Sequence, residues 1–135
     1  LPQLVSLARS SASSPPLGLT PGQQILDLLH IKDVLAAFLI AAIRTQAGQD
    51  AEGGWHRVWC LPSGFRLSLQ DVVRMIETIT GRSLPVTWGA RPYPSHQIFR
   101  PTVGLPTLPG WQPQIPLEAG VREMLNAVIE SSGSA

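Results

Sequence analysis

The sequence predicts a small α/β fold in which short strands alternate with helices. Three observations lead to this prediction. An amphipathic helix with signals at both ends covers 69–80, and a strongly apolar helix covers 34–45. Each of them follows a short segment of strand character. Strands that alternate with helices along the chain are typical of α/β folds.

Composition limits the possible functions of the chain. Its 135 residues suit one domain of ordinary size. Apolar residues make up 44% of the chain and charged residues only 14%, whereas soluble domains average about 25% charged residues. We therefore expect part of the surface to contact other protein. The net charge of +1, without basic runs, predicts no nucleic-acid partner.

The first third of the chain contains two helices. Residues 1–10 have the spacing of a short amphipathic helix, and 10–22 is a loop rich in serine, proline and glycine. Residues 26–31 are a strand candidate. Asp33 stands where a helix N-cap is expected, and the helix 34–45 is apolar all round. An all-apolar helix predicts burial on more than one side.

The same apolar segment raises the question of a membrane span. Its uninterrupted apolar run, from Val34 to Ile43, has ten residues and ends at Arg44. A helix needs about 20 apolar residues to cross a bilayer, and shorter runs are more typical of buried helices. We therefore predict no membrane partner for this chain.

The middle of the chain contains the best-defined helix. The segment 55–61 is rich in aromatic and β-branched residues and predicts a strand. Ser68 and Asp71 have the spacing of a capping box at the start of helix 69–80. Gly81 directly follows the helix, where a left-handed backbone conformation is expected.

Proline dominates the last third. Residues 84–88 predict a strand, which Pro85 places at a sheet edge. The proline-rich segment 89–116 predicts a long loop, and long ordered loops are usually functional. A final helix is expected to begin near Pro116, and 131–135 is expected to be a flexible tail.

Motifs of a complete enzyme are absent from the sequence. It has neither a Gly-x-Gly-x-x-Gly nor a Gly-x-x-x-x-Gly-Lys motif, and no nucleophile–base pair supports a small hydrolase. His30, His56 and His96 lie far apart and predict no metal site. Cys60 is the single cysteine, so an internal disulfide is excluded, and a cytoplasmic location is expected.

The order of several segments is distinctive. They are DLLHIKDV, RVWCLPSG, LSLQDVVRMIETITGRSLPVTWG, RPYPSHQIFRP and GWQPQIPLEAGVREML. In this order and spacing they resemble the C-terminal half of the NAD-dependent epimerase/dehydratase family, the extended short-chain dehydrogenases that act on nucleotide sugars. The resemblance covers nearly the whole chain.

The resemblance implies a more specific fold class. It is α/β, the C-terminal part of an extended short-chain dehydrogenase, with the last strand and helix elements of the Rossmann lobe and a small substrate lobe. The N-terminal dinucleotide-binding half is not represented. Residues 1–135 would form a single substrate-binding segment, and the apolar helix 34–45 would lie at the junction of the two lobes.

The resemblance also suggests site residues. Arg91, which opens the Arg-Pro loop, matches an arginine that contacts phosphate in relatives, and Arg100 is a second candidate. His96 lies where relatives often carry an acidic residue. Leu26 stands in place of another substrate-binding arginine, so one expected contact is missing. Asp27 matches the neighbouring aspartate.

Four further positions bear on the resemblance. Cys60 replaces the usual asparagine of the strand motif, although Ser63 and Gly64 match its end. Trp111 matches a Gly-Trp motif in which the tryptophan has a packing role.

Cofactor and partners follow from the same resemblance. The family uses NAD(P), but its Gly-x-x-Gly-x-x-Gly and Tyr-x-x-x-Lys motifs lie upstream of this segment, and Gln97 occupies the lysine position relative to Tyr93. We therefore expect no cofactor on this chain alone and no activity alone. The expected partners are a weakly bound nucleotide sugar and either the missing Rossmann half or a second copy. The alternative is a stand-alone, non-enzymatic binding or oligomerisation module.

Overall fold

The computed structural model describes residues 1–10, 14–46, 58–101 and 104–132, the last six by their backbone alone. The helices are α1 (Pro2–Arg9), α2 (Ile31–Gln46), α3 (Leu69–Thr80) and α4 (Leu117–Ser132). The strands are β1 (Leu17–Gly18), β2 (Ile25–Leu26), β3 (Leu67–Ser68) and β4 (Val86–Thr87). The chain divides into two compact units. The first unit comprises 1–26, 67–101 and 118–135, and the second comprises 27–66 and 102–117.

Helices α1, α3 and α4 supply the core of the first unit. The predicted apolar stripe of α3 is buried at Val72, Val73 and Ile76, and Val121 of α4 is fully buried as well. Helix α1 packs against α3 and adds three buried residues to this core. They are Leu4, Val5 and Ala8. This packing sets the position of the loops that follow α3.

Both predicted end signals of α3 are confirmed. The Ser68 hydroxyl accepts a hydrogen bond from the Asp71 amide at 3.1 Å, and the Asp71 carboxylate accepts from the Ser68 amide at 3.0 Å. This is the reciprocal capping box that the sequence predicted. Gly81 ends the helix with a φ of 65°, in the left-handed region.

Gly81→Val tests the end of α3. A Cβ added at this position would meet no atom within 4 Å, so the main cost is expected from the backbone conformation. We expect a loss of unfolding free energy of at least about 1 kcal/mol, because a β-branched residue is strained at positive φ. Gly81→Asn is the control, since asparagine tolerates this conformation, and its loss should be smaller. Equal thermal melts for the two variants would contradict the assignment.

Asp71 gives the first unit a predicted pH dependence. A hydrogen bond from the Ser68 hydroxyl, another from its amide, and the Arg74 charge hold the pKa of Asp71 below its ordinary value. A depressed pKa stabilises the fold above the unfolded value, about 3.9, and this contribution is lost as pH falls through the folded pKa. In urea titrations below pH 4, Asp71→Asn should therefore lose less stability than the parent chain. An unchanged acid dependence would contradict this prediction, and Glu118→Gln serves as the control.

The strands are shorter than predicted. β1 pairs with β4 in parallel, with Leu17 opposite Val86, although the sequence assigned β1 to the loop 10–22. β2 pairs with β3 antiparallel, with Leu26 opposite Leu67. The predicted strands 26–31 and 84–88 keep only one and two strand residues respectively. The surrounding backbone determines strand pairs of two residues. Such pairs are too short to show a clear alternation of apolar and polar residues in the sequence.

The second unit corrects the role predicted for Asp33. Helix α2 begins at Ile31, so Asp33 lies inside the first turn and is not the N-cap. Its carboxylate is buried and accepts hydrogen bonds from the amides of Gln114 at 3.1 Å and Ile115 at 3.0 Å. The ring of His30, the residue before the helix, instead accepts a hydrogen bond from the Lys32 amide in the first turn. Asp33 therefore bonds to distant backbone amides and does not cap its own helix.

Trp111 completes the core of the second unit. Its indole nitrogen donates to the Asp33 carbonyl at 2.9 Å, and its ring packs with Ala37 and Leu108. Cys60 forms an isolated parallel bridge with Thr107, next to this cluster. Residues 55–57 of the predicted strand 55–61, and His56 with them, lie outside the described residues. The packing role predicted for Trp111 is confirmed.

Helix α2 presents an apolar face to solvent. Within this chain only Asp33 and Ala37 of the helix are buried, while Phe38 is 69% and Leu39 67% exposed. Ile31, Leu35 and Ile43 are exposed as well. The prediction of burial on more than one side is therefore wrong for this chain by itself. In the described part of the chain, no helix has the length and apolar character needed to cross a bilayer.

The last helix begins close to its predicted start. Helix α4 starts at Leu117, directly after Pro116. Its described backbone continues to Ser132, so the first two residues of the predicted tail 131–135 are helical, and 133–135 lie outside the described residues. The predicted loop 89–116 is divided between the units at Pro101.

Candidate functional site

The candidate site is the segment 88–100 of the first unit, which we call the Arg-Pro loop. It leaves β4, whose register places Gly18 opposite Thr87. The Arg91 amide then donates to the Leu19 carbonyl at 3.1 Å, and the Leu19 amide donates to the Thr87 carbonyl at 2.9 Å. The start of the loop is thus attached to the chain that follows β1.

Trp88 holds a second point of the Arg-Pro loop. Gly22 has a φ of 79°, and a Cβ at this position would lie 2.4 Å from the Trp88 ring. Only glycine permits both the backbone conformation and this close approach. Gln70 of α3 adds support, because its side-chain amide donates to the Pro21 carbonyl at 2.7 Å.

Tyr93 provides a third attachment. Its hydroxyl accepts a hydrogen bond from the Gln23 amide at 2.8 Å. Its ring meets Phe99 edge to face, with centroids 4.7 Å apart and planes at 69°. The Phe99 carbonyl accepts from the amide of Ile25 in β2 at 2.8 Å. The Arg-Pro loop is therefore held by four contacts to the segment 19–25.

The predicted site residues all lie on the surface of this loop. Arg91, His96 and Arg100 are exposed, and within the described part of the chain no hydrogen bond or ion pair joins any two of them. The structure holds the backbone of Arg91 in place and leaves its guanidinium accessible to solvent. Trp88 and Tyr93, which brace the loop, were not predicted to do so. In the sequence, the feature that could have indicated the close contact with Trp88 is the glycine of Pro21-Gly22.

Leu26 and Asp27, which lie outside the Arg-Pro loop, have structural roles. Leu26 is half-buried in β2 and offers no charge. Asp27 accepts a hydrogen bond from the amide of buried Ser63 at 2.8 Å, and this contact organises the segment after Cys60. Among the described residues, no three His, Cys, Asp or Glu side chains form a group that could hold a metal ion.

Comparison of the sequence with known proteins gives no match. No family model matches the chain, and neither does any curated protein. The fold, in contrast, matches many solved structures.

The structural matches cover almost the whole chain. MoeE5 in complex with UDP-glucose and NAD has a TM-score of 0.73 at 19% identity, over 96% of this chain and 42% of that protein. A UDP-glucose 4-epimerase from Stenotrophomonas maltophila with NAD and formylated UDP-arabinopyranose has a TM-score of 0.72 at 18% identity, over 99% and 40%. The UDP-glucose 4-epimerase from Bifidobacterium longum with NAD+ and UDP has a TM-score of 0.70 at 12% identity, over 99% and 40%.

The chain has the fold of part of the nucleotide-sugar epimerases. It spans about two fifths of the length of these three proteins, with 42%, 40% and 40% covered. The predicted fold class is therefore confirmed, and the coverage is consistent with the C-terminal portion that the sequence resemblance indicated. At these identities the epimerase likeness establishes the fold alone.

The cofactor prediction needs correction. The sequence predicted that this chain binds no cofactor by itself, with NAD(P) belonging only to the wider family. That prediction is contradicted, because MoeE5 and the Bifidobacterium longum epimerase, which share the fold over nearly all of this chain, were solved with NAD bound.

Proposed function

We propose that this chain supplies the nucleotide-sugar-binding part of an NAD(P)-dependent epimerase, dehydratase or reductase. The observation that carries the proposal is Arg91, an exposed arginine on a loop that four contacts hold to the segment 19–25, in a fold shared with enzymes solved with UDP-sugars. A fixed backbone and an accessible guanidinium suit recognition of an anionic ligand. The cytoplasmic location belongs to the same proposal.

Arg91 would contact the diphosphate of the substrate. A guanidinium presents a planar fork of donors that matches phosphate oxygens in bidentate fashion. Within the described residues no carboxylate pairs with Arg91, so binding would break no ion pair there. Arg100 and His96, on the same loop, are the secondary candidates for contacts to the ligand.

Catalysis by this chain alone is not part of the proposal. Its one tyrosine, Tyr93, is followed four residues later by Gln97, where a Tyr-x-x-x-Lys pair would require lysine. The Tyr93 hydroxyl is already used to accept from the Gln23 amide. We therefore propose that the reaction depends on residues outside this chain.

The exposed face of α2 supports an assembly with more protein. Phe38, Leu39 and Ile43 are each more than 60% exposed, which is costly for large apolar side chains in water. The matched enzymes contain further chain that has no counterpart here. We propose that α2 packs against the dinucleotide-binding portion of such an enzyme.

Titration with UDP-glucose tests the role of Arg91. With only part of a cleft present, we expect millimolar affinity, about −4 kcal/mol, which should weaken as salt rises. NMR signals from the amides of 89–97 should shift on binding. Arg91→Lys should weaken binding, because lysine offers a point charge in place of a planar fork.

Arg74→Lys is the matched control for this experiment. Arg74 lies on the exposed surface of α3 and pairs with Asp71, so its replacement should leave the affinity unchanged. Equal effects of the two variants, or shifts that exclude the Arg-Pro loop, would contradict the proposed role of Arg91.

A stand-alone binding or oligomerisation module is the second candidate function. The same apolar face of α2 favours it, since a second copy of the chain could cover that face. Sedimentation of the 135-residue chain separates the candidates. A stable homo-oligomer that Leu39→Ser dissociates would favour the module, whereas a chain that stays monomeric would favour the enzyme part.

A further inference from the structure

Two adjoining pockets open on the first unit, away from the residues of the Arg-Pro loop. The larger has a volume of about 430 Å³ and the smaller about 340 Å³. Both are lined by Ala8 of α1 and by Arg82, which follows α3. Each volume is in the range that holds a small molecule. Arg82 therefore lies at a position that the two pockets share.

Three arginines from separate segments line the smaller pocket. Arg9 ends α1, Arg82 follows α3, and Arg122 lies on α4. Their convergence depends on the packing of three helices and not on a run of basic residues in the sequence. Three positive charges that line one pocket can attract an anionic ligand.

One carboxylate balances this charge in part. Glu118 pairs with Arg122 at 2.7 Å, and both side chains are more than half exposed. An exposed pair of this kind contributes little to stability, so Arg122 can turn toward a ligand at small cost. Around the smaller pocket, three guanidinium groups and the Glu118 carboxylate leave a net charge of +2. A second carboxylate, that of Glu77, lies beside the larger pocket, where it accepts from the Ser83 hydroxyl at 3.2 Å and the Leu84 amide at 2.8 Å. A phosphate monoester carries about −1.5 to −2 at neutral pH and so matches the charge around the smaller pocket.

Other lining groups define where the anion would lie. Arg82 is held by a hydrogen bond from its guanidinium to the Ser10 carbonyl at 3.0 Å, which leaves its remaining donors available. The Thr80 hydroxyl donates to the Ile76 carbonyl at 2.8 Å and is not a free donor. The Asn126 amide also lines the pocket and can donate to a phosphate oxygen.

The larger pocket adds apolar side chains beside Arg82. Leu7, Leu84 and Pro85 line it, and Leu84 is buried. An organic group that extends from an anion near Arg82 would reach these side chains directly, because Arg82 lines both pockets. The adjoining charged and apolar spaces suit a ligand with one charged end and one apolar end.

We propose that the first unit binds a phosphate monoester, with the phosphate among Arg9, Arg82 and Arg122 and an apolar organic group against Leu7, Leu84 and Pro85. This site shares no residue with the nucleotide-sugar surface proposed above and does not depend on it. Guanidinium forks supply bidentate contacts to the phosphate oxygens.

Titrating the complete 135-residue chain with three probes tests the site. The probes are phenyl phosphate, inorganic phosphate and acetate at constant ionic strength, and the readout is the side-chain Nε–H NMR signals of the three arginines. We expect saturable shifts, with phenyl phosphate tighter than inorganic phosphate and inorganic phosphate tighter than acetate. The difference between phenyl phosphate and inorganic phosphate measures the contribution of the apolar group. The difference between inorganic phosphate and acetate measures the contribution of the second negative charge.

A double variant and a matched control separate this site from general attraction to a basic protein. Arg9→Gln with Arg122→Gln should weaken phenyl phosphate at least about tenfold, because two charge-assisted contacts are lost. Arg74→Gln removes one exposed positive charge from α3 outside the pocket and should change affinity less than about twofold, as expected for a distant screened charge. Arg82 is left intact because it also holds Ser10.

Several results would overturn the proposal. If acetate bound as tightly as phosphate, the pocket would not select a doubly charged anion. If phenyl phosphate bound no tighter than phosphate, the apolar side chains would not contact the organic group. Absence of saturable shifts at the three arginines would remove the site. A loss in Arg74→Gln as large as in the double variant would show non-specific attraction. Shifts confined to 89–97 would assign the binding to the Arg-Pro loop instead.

Discussion

The second unit depends on Asp33. Its buried carboxylate accepts from two backbone amides, those of Gln114 and Ile115, and its carbonyl accepts from the Trp111 indole. These bonds join the first turn of α2 to a segment 78 to 82 residues later, where there is no long strand to hold it. Buried amides without a partner are costly, so the carboxylate satisfies donors that the proline-rich chain could not pair within a sheet. Ala37, Leu108 and the Trp111 ring then pack around this point.

The first unit uses similar contacts to position a surface loop. Its strands are two residues long, so ladder hydrogen bonds alone fix little of the chain. Attachments at Trp88, Arg91 and Tyr93 complete the support of the Arg-Pro loop against the segment 19–25. A rigid backbone that carries an exposed guanidinium limits the entropy lost when a ligand binds. This is the physical link between the packing of the loop and the proposed function.

The exposed apolar face of α2 and the extent of the structural matches agree with each other. A chain with only 14% charged residues leaves large apolar side chains in water, and the matched epimerases are more than twice as long. Apolar area of this kind is normally covered by protein. Every residue that lines the arginine pocket, by contrast, belongs to the first unit.

The sequence by itself determined the features that depend on neighbouring residues. The capping box of α3, the left-handed Gly81, the helix after Pro116 and the α/β class all follow from local spacing, because their partners lie within a few residues. Only the tertiary structure decided the short strand pairs, the partners of Asp33, the contact of Trp88 with Gly22 and the gathering of three arginines. Each of these joins residues far apart in sequence, and the competing local role, such as the N-cap predicted for Asp33, was displaced by a distant partner. The sequence indicated Arg91 as a candidate. The contacts that hold its loop join residues far apart in the chain, so no local sequence pattern predicted them.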